Sequence, residues 1–419
     1  MNIKPKINFF QLSQKDKNQT RHRQPYLGIA LAKLTKGIAG GLLAIGYFGL
    51  LLPATSQTTS ETNKSSADLG KELVGQIREC VQGKISNPPS KQQALQAISM
   101  RCVFEVAVLE KNGKVRTDAS DRVSALFAAT GFKAPQPNSE GRATNVGLRY
   151  LPRSRVFTVP VSVGSKTNNF LLDTGASASV ISTKSAQQLR LMGVPIPGNV
   201  LKYMGVGGNC SAVKADSLRL PTVAVSSAKV SGLSGLRLAA NSIPAKTSGV
   251  LGLDFLSNFD VVVHPQNLRL QLLQPSQFVK TSIPLRGKLG TMTAQVMING
   301  QGPFTFMLDT GTDLMVISKP LAQKLKLDNP KAKKTEVQGF CGTETAKEIK
   351  LNQVSLQTHK INNLDAVIID NDNIFNMLGV EGIVGQNFLT RYQQHWRFGK
   401  KSQLGYSEKG SLTLTPISK

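Results

Sequence analysis

The sequence predicts a mainly β protein with two homologous lobes and a cleft between them, preceded by a small helical region. From about residue 150, short β-branched runs alternate with Gly, Pro and Asn turns, which is typical of an all-β region. Three landmarks in this region recur in one order at nearly one offset, which indicates an internal duplication. We expect four segments: a basic N-terminus with a signal peptide or membrane anchor (1–56), a linker and helical region (57–145), a first lobe (146–276) and a second lobe (277–419).

The first segment is predicted to direct the chain to a membrane. A basic stretch, residues 4–36, precedes an apolar run, residues 37–52, and small residues follow. Such a run resembles a signal peptide with cleavage after Ser56, whereas the long basic flank favours an uncleaved anchor. Both alternatives stay open, and under either one the basic side stays inside and the bulk of the chain is exported.

The second segment carries two helical stripes and two of the four cysteines. A polar linker, residues 57–66, comes first. Apolar residues then recur at helical spacing, first Leu69, Leu73, Ile77 and Cys80, then Leu95, Ile98 and Cys102. Because each cysteine lies on the apolar stripe of its helix, a disulfide between Cys80 and Cys102 is favoured over two buried thiols. Residues 134–145 are rich in Pro, Gly and polar residues and predict a linker.

Composition limits the partners of the chain. The 419 residues include 51 Lys and Arg against 25 Asp and Glu, an excess that suits anionic surroundings such as lipid headgroups or wall polymers. A charged, solubilising surface is the preferred interpretation. One Trp, few aromatics and the lack of zinc or RNA-binding motifs argue against nucleic acid. Four scattered histidines and no Cys-x-x-Cys predict no metal site, and we expect no cofactor.

The duplicated landmarks include an acidic triplet. Asp173, Thr174 and Gly175 recur as Asp309, Thr310 and Gly311 after an offset of 136 residues, each time between an apolar run and Val-Ile-Ser. Glycine-rich words recur as well, residues 205–208 with 339–342 and residues 249–256 with 382–389, at offsets of 134 and 133 residues. The duplication therefore predicts one carboxylate per lobe, facing each other across the cleft.

Two carboxyl groups held close together cannot both ionise easily, so one stays protonated while the other activates water. Gly175 and Gly311 permit the close backbone approach that this requires, and the hydroxyls of Thr174 and Thr310 are expected to bond across the lobe interface. No metal or covalent nucleophile is then needed to hydrolyse an amide bond.

The two halves differ just after the triplets. Ala176 follows the first triplet and Thr312 the second. Because a hydroxyl stabilises an ionised carboxylate beside it, we expect Asp309 to ionise more readily and Asp173 to be protonated more often. Asp313 is expected either to perturb the pair or to face solvent.

These residues resemble the retropepsin-like aspartic peptidases, over about residues 150–419 in two copies. The first triplet with Ala176 is similar to the retroviral form, and the second with Thr312 to the C-terminal lobe of pepsin. The family's apolar-apolar-Gly word matches residues 250–252 (Val-Leu-Gly) and 383–385 (Ile-Val-Gly). The resemblance implies a bilobal β fold and a polypeptide substrate. Because both halves lie in one chain, we expect a monomer with internal pseudo-two-fold symmetry.

The resemblance also implies flaps, hairpins that close over the substrate. The glycines that fall at the flap positions are Gly205, Gly207 and Gly208 in the first lobe and Gly339 and Gly342 in the second. A plain surface hairpin is the alternative. Cys210 and Cys341 lie just past or within these words, where a disulfide would tether the lids and make access to the cleft redox-dependent. Two unpaired thiols are nevertheless favoured at these positions.

The leading interpretation is an exported or membrane-anchored aspartic endopeptidase in which Asp173 and Asp309 activate water. The alternative is a peptide-binding or scaffold protein of the same fold with weak or no activity. Intact triplets in both lobes favour the enzyme, since a scaffold needs neither carboxylate. A third reading, an anchored nucleic-acid-binding protein, rests on charge alone.

Overall fold

The computed structural model describes residues 65–85, 92–116, 118–131, 134, 136–201, 210–243, 247–370, 373–402 and 404–417. The predicted signal or anchor segment, residues 1–56, lies outside these residues. Within the described part of the chain, none of the helices combines the length and the apolar character needed to span a membrane.

A small helical region opens the described chain. It contains α1 (Ser66–Lys84), α2 (Gln92–Val103), a π-helical turn (Phe104–Val108) and α3 (Ala119–Thr130). Ser65 caps α1, because its hydroxyl accepts the Asp68 N–H at 3.2 Å. The buried stripe of α1 faces α3, and a side chain at Gly70 would collide with the α3 backbone at Ala125. The favoured disulfide between Cys80 and Cys102 joins α1 to α2.

The first lobe is an 11-stranded sheet. Its strands are β1 (Asn138–Glu140), β3 (Arg149–Tyr150), β4 (Phe157–Val163), β5 (Lys166–Leu172), β6 (Val180–Ser182), β7 (Gly193–Ile196), β8 (Ala215–Arg219), β9 (Val223–Val225), β10 (Ala228–Ser231), β11 (Ser234–Leu238) and β12 (Gly249–Leu251). Short helices lie between them: α4 (Thr183–Gln188), α5 (Gly198–Leu201), α6 (Leu253–Leu256) and the 3-10 turns Cys210–Ala212 and Ala240–Ser242. Helix α2 packs beside β7.

The second lobe belongs to a 13-stranded sheet. The strands of this sheet are β2 (Ala143–Gly147), β13 (Asp260–His264), β14 (Arg269–Leu273), β15 (Ile283–Lys288), β16 (Thr291–Ile298), β17 (Gln301–Leu308), β18 (Met315–Ser318), β19 (Lys334–Gly339), β20 (Gly342–Leu356), β21 (His359–Ile369), β22 (Gly382–Val384), β23 (Tyr392–Phe398) and β24 (Lys409–Pro416). Its helices are α7 (Lys319–Lys324), α8 (Asn373–Leu378) and α9 (Gln386–Leu389).

The same strand pattern occurs in both lobes. In the first, β5 runs parallel to β12, β12 antiparallel to β6, and β6 parallel to β11. In the second, β17, β22, β18 and β21 repeat these pairings with the same directions. The predicted mainly β fold with two homologous lobes is therefore confirmed. Each acidic triplet begins where β5 or β17 ends.

A six-stranded platform joins the lobes, in the order β15-β24-β23-β13-β14-β2. The strands that follow the first lobe pair there with the last strands of the second, and Val261 on β13 lies opposite the buried Trp396 on β23. The sequence predicts a linker over residues 134–145, but this stretch contains all of β1 and the first part of β2. Their backbone groups find partners on β10 and β14. Strands from four separate stretches of the chain thus fix the lobes relative to each other.

Candidate active site

The two acidic triplets are held from behind by neighbouring strands. The Asp173 N–H donates to the carbonyl of Leu251 at 3.1 Å, and the Asp309 N–H donates to the carbonyl of Val384 at 3.0 Å. These carbonyls belong to the apolar-apolar-Gly words at the ends of β12 and β22. Each word therefore fixes the position of the aspartate in its own lobe.

The threonines of the triplets bond across the lobe interface, with nearly equal geometry in both directions. The Thr310 hydroxyl accepts the Thr174 N–H at 3.0 Å and donates to the carbonyl of Leu172 at 2.9 Å. The Thr174 hydroxyl accepts the Thr310 N–H at 3.1 Å and donates to the carbonyl of Leu308 at 3.0 Å. All four bonds are buried, so they hold the triplets together where water cannot compete.

The structure brings Asp173 and Asp309 into direct contact. Each carboxyl group lies against the glycine of the opposite triplet. A Cβ built on Gly175 would lie 2.6 Å from Oδ2 of Asp309, and one on Gly311 would lie 2.6 Å from Oδ2 of Asp173. Only glycine leaves room for this approach, and both aspartates are buried.

The hydrogen bonds around the two carboxyl groups are unequal. Oδ1 of Asp173 accepts the N–H groups of Gly175 and Ala176 at 2.8 and 2.9 Å. Oδ1 of Asp309 accepts the N–H of Gly311 at 2.7 Å, and its Oδ2 accepts the hydroxyl of Thr312 at 2.5 Å. The side-chain donor that the sequence places in the second lobe therefore reaches its aspartate.

Burial raises the pKa of Asp173 well above its ordinary value, and the neighbouring charge of Asp309 raises it further. This direction agrees with the expectation that Asp173 carries the proton shared by the pair. Which of the two carboxyl groups holds the proton stays a prediction.

Asp313 is half-buried and pairs with Arg155 of the first lobe. Its Oδ1 accepts the backbone N–H of Arg155 at 3.0 Å, and the Arg155 guanidinium lies 3.6 Å from the same oxygen. Arg155 precedes β4 in the first lobe, so this ion pair crosses the lobe interface. Sequence reasoning missed Arg155, because the two residues are 158 positions apart.

A buried network beneath the first triplet was also missed. Asp254 in α6 accepts the N–H and the hydroxyl of Ser179 at 2.9 and 2.6 Å. Asn258 donates to the carbonyl of Asp254 at 2.7 Å and accepts from the Lys401 ammonium at 2.6 Å. Burial raises the pKa of Asp254 to about 6 and lowers that of Lys401 to about 8. The sequence contains one signal for this network. Residues 249–256 include the carboxylate of Asp254, whereas the matching position of the second copy carries an amide, Asn387.

Helices α6 and α9 support the turns in the same way. The Leu253 N–H donates to the carbonyl of Ala176, and the Gln386 N–H donates to that of Thr312, both at 2.8 Å. In the second lobe the buried Gln386 side chain also donates to the carbonyl of Thr310 at 3.0 Å. The duplicated words thus place one short helix under each triplet.

Asp173 and Asp309 line a cleft of about 150 Å³. Most side chains that line it are apolar: Val180, Leu201, Val213, Leu236, Leu238, Leu289, Met307, Phe340, Ile374, Met377, Leu378 and Ile383. Both lobes contribute to this lining. The cleft can therefore desolvate a bound group beside the carboxyl pair.

The predicted flaps have different outcomes. Gly205, Gly207 and Gly208 lie outside the described residues. Gly339 and Gly342 pair across the hairpin of β19 and β20, and Gly342 has φ +116°, which favours glycine. Phe340 and Cys341 form the tip of this hairpin and line the cleft.

Cys341 forms a disulfide with Cys210. The expectation of two unpaired thiols at these positions is therefore wrong. Sequence separation hid the pairing, because the two cysteines are 131 positions apart and their approach depends on how the lobes face each other.

One group of potential metal ligands occurs within the described residues: Cys80, Cys102 and Glu105. Both sulfurs are used in a disulfide, so they offer no thiolate to a metal ion. The carboxylate of Glu105 is paired with Lys84 at 3.1 Å and Arg101 at 2.7 Å. This group is therefore explained by the packing of the helical region.

Comparison with known proteins supports the same family. A family model described as gag-polyprotein putative aspartyl protease matches the chain twice, at residues 159–258 and 294–391, and each match contains one acidic triplet. The two-copy resemblance to retropepsin-like aspartic peptidases is thus confirmed. The chain is also similar to a solved crystal structure of a retropepsin-like aspartic protease from Rickettsia conorii, with 22% identity over 32% of this chain and 96% of that chain and a TM-score of 0.23. The comparison with curated proteins finds no match.

Proposed function

We propose that this chain is an aspartic endopeptidase whose catalytic groups are Asp173 and Asp309. The observation that carries the proposal is the contact between the two buried carboxyl groups, fixed by four threonine bonds across the lobes. A scaffold would gain nothing from burying two acids side by side, since such a pair opposes its own ionisation.

The proposed reaction uses one protonated and one ionised carboxyl group. Ionised Asp309 takes a proton from a water molecule as the water oxygen attacks the carbonyl carbon of the scissile peptide bond. Asp173 gives its proton to the carbonyl oxygen, which forms a neutral tetrahedral intermediate. The intermediate collapses as the C–N bond breaks, and Asp309 returns its proton to the leaving nitrogen. One of the two hydroxyl groups of the intermediate gives its proton to Asp173 as its oxygen forms the new carbonyl, so the pair ends as it began.

Cleavage of a mixed peptide library tests this proposal. The wild-type chain is incubated from acid to mildly alkaline pH, with and without pepstatin, and with and without dithiothreitol. We expect new peptide termini that pepstatin suppresses and that Asp173→Asn and Asp309→Asn variants do not produce. Peptides that bind but remain intact under every condition would instead support the scaffold alternative.

We also propose that the chain works outside the cytoplasm. The apolar run at residues 37–52 after a basic flank supports this location, as do two disulfides, which persist in oxidising compartments. Its positive charge suits an anionic membrane or wall surface. Cell fractionation with N-terminal sequencing checks both points: recovery of the full chain in the cytosol would contradict the proposal.

The active species is proposed to be a monomer with internal pseudo-two-fold symmetry. Both triplets, both apolar-apolar-Gly words and the joining platform come from one chain, so the site needs no second copy. Sedimentation of active protein should give a mass near 45.1 kDa for the full chain. Activity that appears only in a dimer fraction would contradict this.

A further inference from the structure

We propose that the disulfide between Cys210 and Cys341 closes the cleft against internal segments of a polypeptide, and that a dithiol opens it by reduction. This inference rests on the proposed function and adds a rule for which substrates enter. It begins from the position of the bridge: both cysteines line the same cleft as Asp173 and Asp309.

The bridge joins opposite lobes. Cys210 begins a short 3-10 turn of the first lobe, whereas Cys341 lies at the tip of the β19–β20 hairpin of the second. The threonine bonds join the same two lobes at the floor of the cleft. The lobes are thus joined both at the floor of the cleft and across it, and the two lobes, the disulfide and the threonine bonds form a closed ring around the cleft.

A closed ring limits the route of entry. A chain end can be threaded through it, but an internal loop or a cyclic peptide cannot be laid in from the side. The cleft is also small: about 150 Å³, against roughly 300–1,000 Å³ for ordinary ligand pockets. The bridged state is therefore a narrow state that a chain end can enter by threading, whereas a segment laid in from the side needs the hairpin to move away.

The hairpin is free to move away from the first lobe once the disulfide is reduced. Strand β19 is at the edge of its sheet and, among the described strands, pairs with β20 alone. Its tip is held to the first lobe through Cys341. Without the disulfide, the hairpin keeps the apolar packing of Phe340 at its tip and of Val337 on β19.

The bridge is open to thiol exchange from one side. Cys210 is buried, whereas Cys341 is partly exposed. A thiolate of the dithiol attacks Sγ of Cys341 and expels the Cys210 thiolate, which takes up a proton. The second thiolate of the reductant then displaces Cys341 from the mixed disulfide. The products are two protein thiols and one oxidised dithiol, so the electrons balance.

The test uses a peptide that the reduced enzyme cleaves, prepared in linear form and as a head-to-tail amide-closed ring without cysteine. For the oxidised wild type we expect dithiothreitol to raise the rate on the cyclic peptide by about tenfold or more, because the open fraction rises. The linear peptide should respond less, since its end can be threaded. A Cys210→Ser/Cys341→Ser variant should cleave both peptides without dithiothreitol and be indifferent to it.

Reduction also cuts the bond between Cys80 and Cys102, so a Cys80→Ser/Cys102→Ser variant is the matched control. It retains only the bridge over the cleft and should keep the full response to dithiothreitol. An oxidised enzyme, wild-type or control, that cleaves the cyclic peptide as fast as its reduced form would overturn the inference.

Hydrogen exchange supplies a readout that needs no catalysis. Backbone amides of residues 334–345, the part of the hairpin that pairs only within itself, should lose protection on reduction, in the wild type and in an Asp173→Asn/Asp309→Asn variant alike. Unchanged protection in both would count against the bridge as a closure. Lost protection without cleavage by any form would support the bridge and refute the peptidase proposal.

Discussion

Thr312 is the side chain that makes the two acidic turns chemically different. Its hydroxyl donates to Oδ2 of Asp309 at 2.5 Å, while Ala176 offers Asp173 its backbone N–H and no hydroxyl. Replacing Thr312 by Ala should move the acid limb of the pH–rate profile to higher pH, because the ionised carboxylate loses a donor. Profiles of kcat/KM against pH for Thr312→Ala and for the hydroxyl-bearing control Thr312→Ser check this. Identical profiles for wild type and Thr312→Ala would contradict it.

The hydroxyl of Thr310 links the second lobe to the first through hydrogen bonds. A Thr310→Ala change removes the acceptor of the Thr174 N–H and the donor to the Leu172 carbonyl. Both groups are buried, and an unpaired buried group costs roughly 1–3 kcal/mol of the free energy of unfolding. Denaturant unfolding should show this loss, with Thr310→Ser close to wild type. A Thr310→Ala variant as stable as the wild type would mean that these bonds do not hold the lobes.

The duplication made the central residues predictable and left their partners hidden. Asp173, Asp309 and the two threonines stand out because they recur in the same context. The partners of Arg155 and Asp254 lie 158 and 75 positions away, so the sequence carries no local signal for either pairing. Long-range pairing of this kind depends on the packed lobes.

At the scale of elements, α6 and α9 occupy matching places but differ in charge. Asp254 in α6 corresponds to Asn387 in α9, so one lobe carries a titrating group under its triplet and the other an amide. Burial raises the pKa of Asp254 to about 6. The folded chain therefore binds this proton more tightly than the unfolded chain, in which the pKa of an aspartate is about 3.9.

This difference predicts how stability depends on pH. Because the folded state holds more protons between about pH 4 and pH 6, the Asp254 contribution to stability is lost as the pH rises through that window. The difference between a pKa of about 6 in the folded chain and about 3.9 in the unfolded chain corresponds to roughly 3 kcal/mol. The free energy of unfolding of the wild type should fall by this amount between about pH 4 and pH 6. Asp254→Asn, which carries the amide found in the second lobe, should not show this fall. Equal pH slopes for both proteins would show that Asp254 is not the group responsible.

Elements were predictable where their sequence words repeat. The glycines at residues 339 and 342 mark the hairpin, and the helical stripes mark α1 and α2. Pro- and Gly-rich sequence surrounds β1 and β2. These two strands form by pairing with β10 and β14, which are distant in the sequence. The bridge from Cys210 to the hairpin likewise depends on how the lobes meet.

In the whole molecule, the two acidic triplets, one from each lobe, form a single site. Two lobes follow from the duplicated landmarks, but the platform that orients them does not. It pairs strands from residues 143–147, 260–273, 283–288 and 392–416, and such a pairing has no local signal in the sequence. The platform and the threonine bonds together make the carboxyl pair a property of both lobes.

A pair that acts as one unit has a kinetic signature. The measurement is the rate of peptide cleavage by Asp173→Asn, Asp309→Asn and the double variant, with dithiothreitol present so that the cleft is open. We expect each single change to lower the rate by roughly 10²–10⁴-fold or more and the double change to cost little beyond either one, because each single variant already breaks the unit. A single variant that keeps the wild-type rate, or losses that multiply in the double variant, would contradict the shared site.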